Sequence, residues 1–227
     1  MVPWIESTRD FPPVATALVE PNGLLCAGAD LAPATIVAAY ARGIFPWFSD
    51  GQPILWWSPD PRMVLFPAEF KISKSLAKTV SRGKFEIRFD SAFSDVISAC
   101  AEPRQADGGT WIVPEMRAAY AQLHKLGVSH SIESWRDGEL VGGLYGLALG
   151  RMFFGESMFA RQTDASKVAL VALVEKLKCD GFELIDCQQE THHLASFGAR
   201  PIPRHDFVQR LKELIDLKQS GSAWRPI

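Results

Sequence analysis

Residues 184–188 read LIDCQ, a carboxylate and a carboxamide two positions apart in an otherwise apolar run. As a strand, this segment alternates faces. Asp186 and Gln188 then share one face with Leu184, about 7 Å apart along the chain, and Ile185 and Cys187 take the other. A carboxylate beside a carboxamide at a strand end is a candidate polar functional site. A buried aspartate satisfied by backbone donors fits the same spacing. Glu156 sits in FFGESMF (153–159), where a carboxylate is costly unless paired. It reads as the binder of an ammonium group, or as half of an internal ion pair with Arg161.

Two further stretches could hold a ligand. Residues 43–62, GIFPWFSDGQPILWWSPDPR, combine Pro46, Pro53, Pro59 and Pro61 with Trp47, Trp56 and Trp57. Proline density excludes a helix interior and a central strand, so the rings are expected on a stiff irregular segment. There they could meet a flat guest such as a base, or plug a small core. Residues 71–84, KISKSLAKTVSRGK, contain no acid. The spacing predicts a helix capped by Ser73, with Lys71, Lys74, Lys78 and Arg82 on one face and Ile72, Leu76 and Val80 opposite; Lys84 follows. This is a solvated face or a track for phosphates.

Other chemistries find no support. Cys187 with His192 and His193 offers too few ligands at poor spacing for zinc, and no metal site is expected. There is no phosphate-binding glycine motif; Gln105 to Thr110 is the nearest approach to a coenzyme A pyrophosphate loop, and it ends wrongly.

The positioning elements follow from punctuation and period. Pro33 and Gly43 bracket a helix over roughly 32–42, and residues 1–30 are expected to wrap the surface. Residues 63–67 and 85–90 read as strands. Pro114 opens a helix with Met116, Ala119, Tyr120, Leu123 and Leu126 inward. Asp137-Gly138 marks a hairpin between 130–135 and 139–149, and 151–159 continues the sheet. Asp164 is expected to cap a helix to about Lys178, 182–187 is a buried strand, and Pro203 begins a last helix. This predicts α+β with a mainly antiparallel sheet. A domain boundary is expected near Pro59–Pro61, giving a small N-terminal domain over 1–60 and a larger one over 61–227.

The 227 residues are 47% hydrophobic and 22% charged, ordinary for one or two globular domains. No apolar run reaches the ~18 residues of a membrane helix, and the first residues lack the pattern of a secretory signal. Cys26, Cys100, Cys179 and Cys187 show no paired spacing. A monomeric cytoplasmic protein with reduced thiols is the expectation. The net charge of −2 means that any nucleic-acid binding must rest on local positive charge.

Seven segments occur in one order: EPNGLLCAGADLAP (20–33), the aromatic block at 43–62, GTWI (109–112), GGLYG (142–146), FFGESMF, DASK (164–167) and LIDCQ. Together they resemble the leucyl/phenylalanyl-tRNA–protein transferase family. The resemblance implies a GNAT-like acyltransferase domain after a small N-terminal α+β domain. It implies transfer of Leu, Phe or less readily Met from aminoacyl-tRNA to proteins that begin with Lys or Arg, for N-end-rule degradation, with no cofactor. It implies that Asp186 and Gln188 orient and deprotonate the attacking amine, and that Glu156 binds substrate; for that amine the chemistry of the two side chains favours Asp186 as the proton acceptor and Gln188 as the orienter. Phe153, Leu144 and Met158 would form the Leu/Phe pocket, and Trp111 and Trp47 would border substrate. The basic helix would hold the tRNA 3′ arm. Glu190 is a further acidic candidate for acceptor recognition. Spacing alone leaves a coenzyme A-dependent acyltransferase and a non-catalytic RNA-binding module open.

Overall fold

Two sheets are built one after the other along the chain. The computed structural model describes residues 2–102, 110–215 and 224. The first sheet has strands β1 (Trp4–Ile5), β2 (Leu24–Gly28), β3 (Phe45–Pro46) and β4 (Leu55–Trp57) in the order β1-β2-β4-β3. Helix α1 (Pro33–Tyr40) joins β2 to β3. Residues 1–30 therefore supply two strands rather than a surface wrap. The proline-rich block also carries β4, which is a central strand, contrary to the expectation of wholly irregular structure. The prolines flank β4, and Pro46 lies on the edge strand β3, where a missing N–H costs little.

The second sheet has β5 (Arg62–Leu65), β6 (Glu86–Phe89), β7 (Ser129–Arg136), β8 (Glu139–Leu149), β9 (Met152–Ala160), β10 (Leu184–Gln188) and β11 (Arg200–Ile202). Their order is β11-β5-β10-β9-β8-β7-β6. Only the β9–β10 pair is parallel. Asp137 and Gly138 both take positive φ between β7 and β8, as a tight hairpin requires. A helix, the β7–β8–β9 meander, a helix and a further strand follow one another in the GNAT order. The fold is α+β and GNAT-like.

Helices α2 (Lys74–Ser81), α3 (Phe93–Ala101), α4 (Pro114–Lys125), α5 (Ala165–Cys179), α6 (His192–Ala195) and α7 (Arg204–Leu214) complete the described chain. Apolar residues of α5 pack on one face of the second sheet with Leu65, Leu144, Phe153 and Ile185. Residues of α1, α3, α4 and α7 pack on the other with Tyr145, Phe154 and Leu184. Alternation on β9 thus sends neighbouring Phe153 and Phe154 into different cores. The second core also includes Phe45 and Trp57, so residues on both sides of Pro59–Pro61 bury one another.

Three local expectations are corrected. Leu126 is exposed, because α4 stops at Lys125 and Gly127 turns the chain away. Asp164 precedes α5 in a left-handed conformation and makes no side-chain cap; its oxygens meet Lys167 and Thr79 instead. Lys71 is not on α2. Its N–H is held by Phe197 O, the helix begins three residues later, and Arg82 is already its C-terminal cap. Lys74 and Lys78 remain on the helix, Ser73 caps it through Leu76 N–H, and Leu76 is its buried anchor.

Candidate active site

Strands β9 and β10 pair only from Leu184–Met152 to Asp186–Phe154. Beyond that point β9 continues to Ala160 against β8, and β10 ends against β5. The opening between them belongs to a cavity of about 790 Å³. One end is walled by Leu65, Leu144, Phe153, Leu170, Leu173 and Ile185, which belong to the core on the α5 side. The other end meets Glu156, Gln188, Tyr145, Trp47 and Trp111. Gly155 lines the passage, with nothing but Asp186 O within 4 Å of where a Cβ would stand.

A bulge aims Glu156. Tyr145 opposes Ser157 and Gly146 opposes Gly155, so Glu156 is the extra residue of β9. The Tyr40 hydroxyl donates to its Oε1 at 2.7 Å, and the Tyr120 hydroxyl donates to Oε2 at 2.9 Å. The two hydroxyls are themselves 2.6 Å apart. With both hydroxyls donating to the carboxylate, no proton is left for the contact between them; when Glu156 takes up a proton it can donate to one tyrosine, which then donates to the other. Burial pushes the Glu156 carboxyl up to about 7, against the tyrosine hydrogen bonds that hold it down, and nearby Asp186 adds to the rise. Burial also drives both tyrosines well above their ordinary range, so they remain donors. The ion pair with Arg161 does not form; Arg161 meets Glu102 at 2.6 Å.

Gln188 reaches the same carboxylate, Nε2 donating to Glu156 Oε1 at 3.3 Å. Simple alternation does not put it there. The β10–β5 register shifts between Asp186 and Gln188, and Gln188 has φ of +61°. Asp186 Oδ1 accepts the Gln188 N–H at 2.9 Å, an Asx-type turn that fixes this kink.

Asp186 itself does not line the cavity. It is fully buried, and Arg62 takes both its oxygens, Nε to Oδ1 at 2.8 Å and Nη2 to Oδ2 at 2.6 Å. The pairing follows from register. Val64 opposes Asp186, and Arg62 lies two residues along β5 on the same face. The expectation of two free neighbouring side chains on one strand face is therefore corrected: Asp186 turns to Arg62 and Gln188 to the cavity. Cys187 lies on the cavity wall, and burial pushes its thiol far above the ordinary range, which suits an inert group.

The tryptophans divide. Trp56 is wholly buried and donates to Gly28 O at 2.9 Å, a core role. Trp57 Nε1 donates to Trp47 O at 2.7 Å and holds Trp47, which is 37% exposed, at the cavity wall. Phe153 and Leu144 are buried wall residues, and Met158 and Trp111 are partly buried beside them. Residues 105–109 of the coenzyme-loop candidate, and Gly109 of GTWI, lie outside the described residues. Among the described residues no trio of His, Cys, Asp or Glu could hold a metal, and no helix is long and apolar enough to cross a membrane.

Comparison with known sequences supplies the family. The leucyl/phenylalanyl-tRNA protein transferase profile matches residues 64–212, and the profile for the N-terminal domain of that transferase matches residues 29–60. The chain belongs to the leucyl/phenylalanyl-tRNA–protein transferase family. A transferase of that name from Nitrosospira multiformis is 59% identical over 224 residues, covering 99% of this chain and 97% of the relative. Another from Aromatoleum aromaticum is 62% identical over 211 residues, covering 93% and 89%. Among solved structures, a ribosomal-protein-alanine N-acetyltransferase from Brucella melitensis aligns with a TM-score of 0.35 at 13% identity, covering 63% of this chain and 98% of its own.

As a member of the transferase family the chain is an aminoacyltransferase. Sequence reasoning missed Arg62, Tyr40 and Tyr120 in its candidate site. Arg62 stands in the SPDPR run with no partner nearby in sequence. Tyr120 shows only as one more inward position of α4, and Tyr40 as the last residue of α1.

Proposed function

We propose that this protein transfers Leu or Phe, and less readily Met, from aminoacyl-tRNA to the α-amino group of proteins beginning with Lys or Arg, in the service of N-end-rule degradation. The observation that carries this reading is the cavity through the β9–β10 opening, apolar at one end and lined by Glu156 and Gln188 at the other. The apolar end suits a Leu or Phe side chain, and Leu144, Phe153 and Met158 would meet it. The ester carbonyl would then stand near Gly155, with the terminal adenosine towards Trp111 and Trp47. The basic run Lys71, Lys74, Lys78, Arg82 and Lys84 would meet the tRNA 3′ arm.

The ester is already activated, so no ATP is required. Gln188 gives its Nε2 to Glu156, which leaves its carbonyl oxygen to accept from the amine and aim the lone pair. An α-amine titrates at about 7.7–8.0, so a carboxyl near 7 can receive its proton. The nitrogen attacks the ester carbon, the C–N bond forms and the bond to the ribose oxygen breaks. That oxygen leaves with the proton given up by the amine. Holding ester and amine together supplies most of the acceleration.

The test is transfer of labelled Leu or Phe from charged tRNA to a peptide beginning with Arg, beside one beginning with Ala. Transfer to the Arg peptide alone is expected. Bound tRNA with no transfer to either peptide would overturn the reading.

A further inference from the structure

We infer that Arg62 is a positioning residue for the transfer reaction. It locks Asp186 as a structural acceptor that sets Gln188, and so takes Asp186 out of proton transfer. This rests on the proposed role of Gln188. Arg62 is 1% exposed and Asp186 0%. Their bidentate pair uses both carboxylate oxygens, and Asp186 Oδ1 also accepts the Gln188 N–H. The guanidinium lies between the rings of Phe45 and Phe207, 4.7 Å from each centroid, and its Nη1 donates to Gly43 O at 3.3 Å. Arg62 is thus fixed by the β3 edge, by α7 and by the end of the α1 turn. A group so committed on every side cannot swing to a substrate.

The chain of contact runs from Arg62 through Asp186 to the backbone of Gln188 and on through its side chain to Glu156. The left-handed backbone at Gln188 is unusual for a residue with a Cβ and persists only where neighbours enforce it. The Asp186 carboxylate is the neighbour that does so. Loss of the clamp would let Gln188 relax into the strand path and turn its carboxamide away from Glu156.

The experiment compares transfer kinetics and melting of wild type with D186N, D186A, R62K and the double variant R62M/D186L. D186N keeps an Oδ1 acceptor for the Gln188 N–H but cannot take a proton. Its NH2 cannot accept from Arg62, so the fork is lost as in R62K; kcat should fall, but less than in D186A, with an unmoved pH profile. D186A removes the acceptor, and kcat should fall about 100-fold, the scale of a small misplacement at the reacting centre. R62K should lose kcat with KM for aminoacyl-tRNA unchanged, since lysine cannot form the fork. R62M/D186L removes both buried charges, so it should fold while staying at the D186A level. A folded D186N as inactive as D186A, or a double variant with wild-type kcat, would overturn the inference. Wild type without transfer would instead overturn the proposed function.

Discussion

Gln188 Nε2 donates to Glu156 Oε1 across 3.3 Å, joining the end of β10 to the bulge of β9. The two strands have already parted at this level. The hydrogen bond therefore spans the opening of the sheet and puts an amide and a carboxyl of matched purpose on the cavity wall. Neither residue is there by simple alternation. One is the extra residue of a bulge and the other has a left-handed backbone.

The Glu156 carboxyl should be visible in the pH dependence of stability. Its folded value of about 7 stands above the ordinary value of 4.5. Between those two pH values the native state holds a proton that the unfolded chain has released. Stability from this group is thus full at low pH and falls as pH rises through 7. In Glu156→Gln that slope disappears. The difference in melting temperature between variant and wild type should grow in favour of the variant from pH 5 to pH 8 and then level. A constant difference would remove the raised carboxyl from the account.

Tyr40 tunes the same group. Its hydroxyl donates to Glu156 and holds the carboxyl down against burial. Tyr40→Phe keeps the ring, which meets Phe154 edge-on at 5.1 Å, and deletes the donor. The Glu156 transition should then move to higher pH. Transfer measured at saturating substrates would show its acid limb displaced the same way, and an unmoved limb would mean that Glu156 does not titrate in the reaction.

The glycines of the sheet differ sharply in what they tolerate. A Cβ on Gly146 would collide with Phe154 O and lie 2.6 Å from the Phe153 ring. Gly146→Ala should cost about 3 kcal/mol or more, since both neighbours are fixed in cores. A Cβ on Gly155 would meet only Asp186 O at 3.6 Å, an ordinary contact, and its backbone is not left-handed. Gly155→Ala should melt like wild type yet transfer more slowly, because the methyl group narrows the passage between the two ends of the cavity. Chemical denaturation beside transfer rates separates these outcomes.

What the sequence made legible was local. Tyr120 and Leu123 were placed inward by the period of α4, and Asp137-Gly138 marked its hairpin, because those signals depend on near neighbours. Asp186, Gln188 and Glu156 could be singled out as polar groups in apolar runs. Their arrangement could not, because it depends on a bulge opposite Gly146, on a kink after Asp186, and on an arginine 124 residues away in sequence. The Lys71 error has the same origin. A helical period was extended across residues that a contact with Phe197 holds straight.

The basic stretch gives the last prediction. Helix α2 turns Leu76 inward and carries Lys74 and Lys78, and no acid stands between Lys71 and Lys84. Were this only a solvated face, neutralising it would leave tRNA binding alone. If it follows the single-stranded 3′ end, each phosphate contact contributes a slope of about 0.7 in log K against log salt. Lys74→Ala with Lys78→Ala should then flatten that slope by about 1.4 and weaken binding most at low salt. Transfer at saturating charged tRNA should be unchanged, because neither lysine is among the residues lining the cavity. Filter binding of charged tRNA across a salt series, with turnover measured alongside, decides it. An unchanged slope would return α2 to an ordinary surface helix, whereas a flattened slope with intact turnover ties it to the nucleic acid rather than to the chemistry.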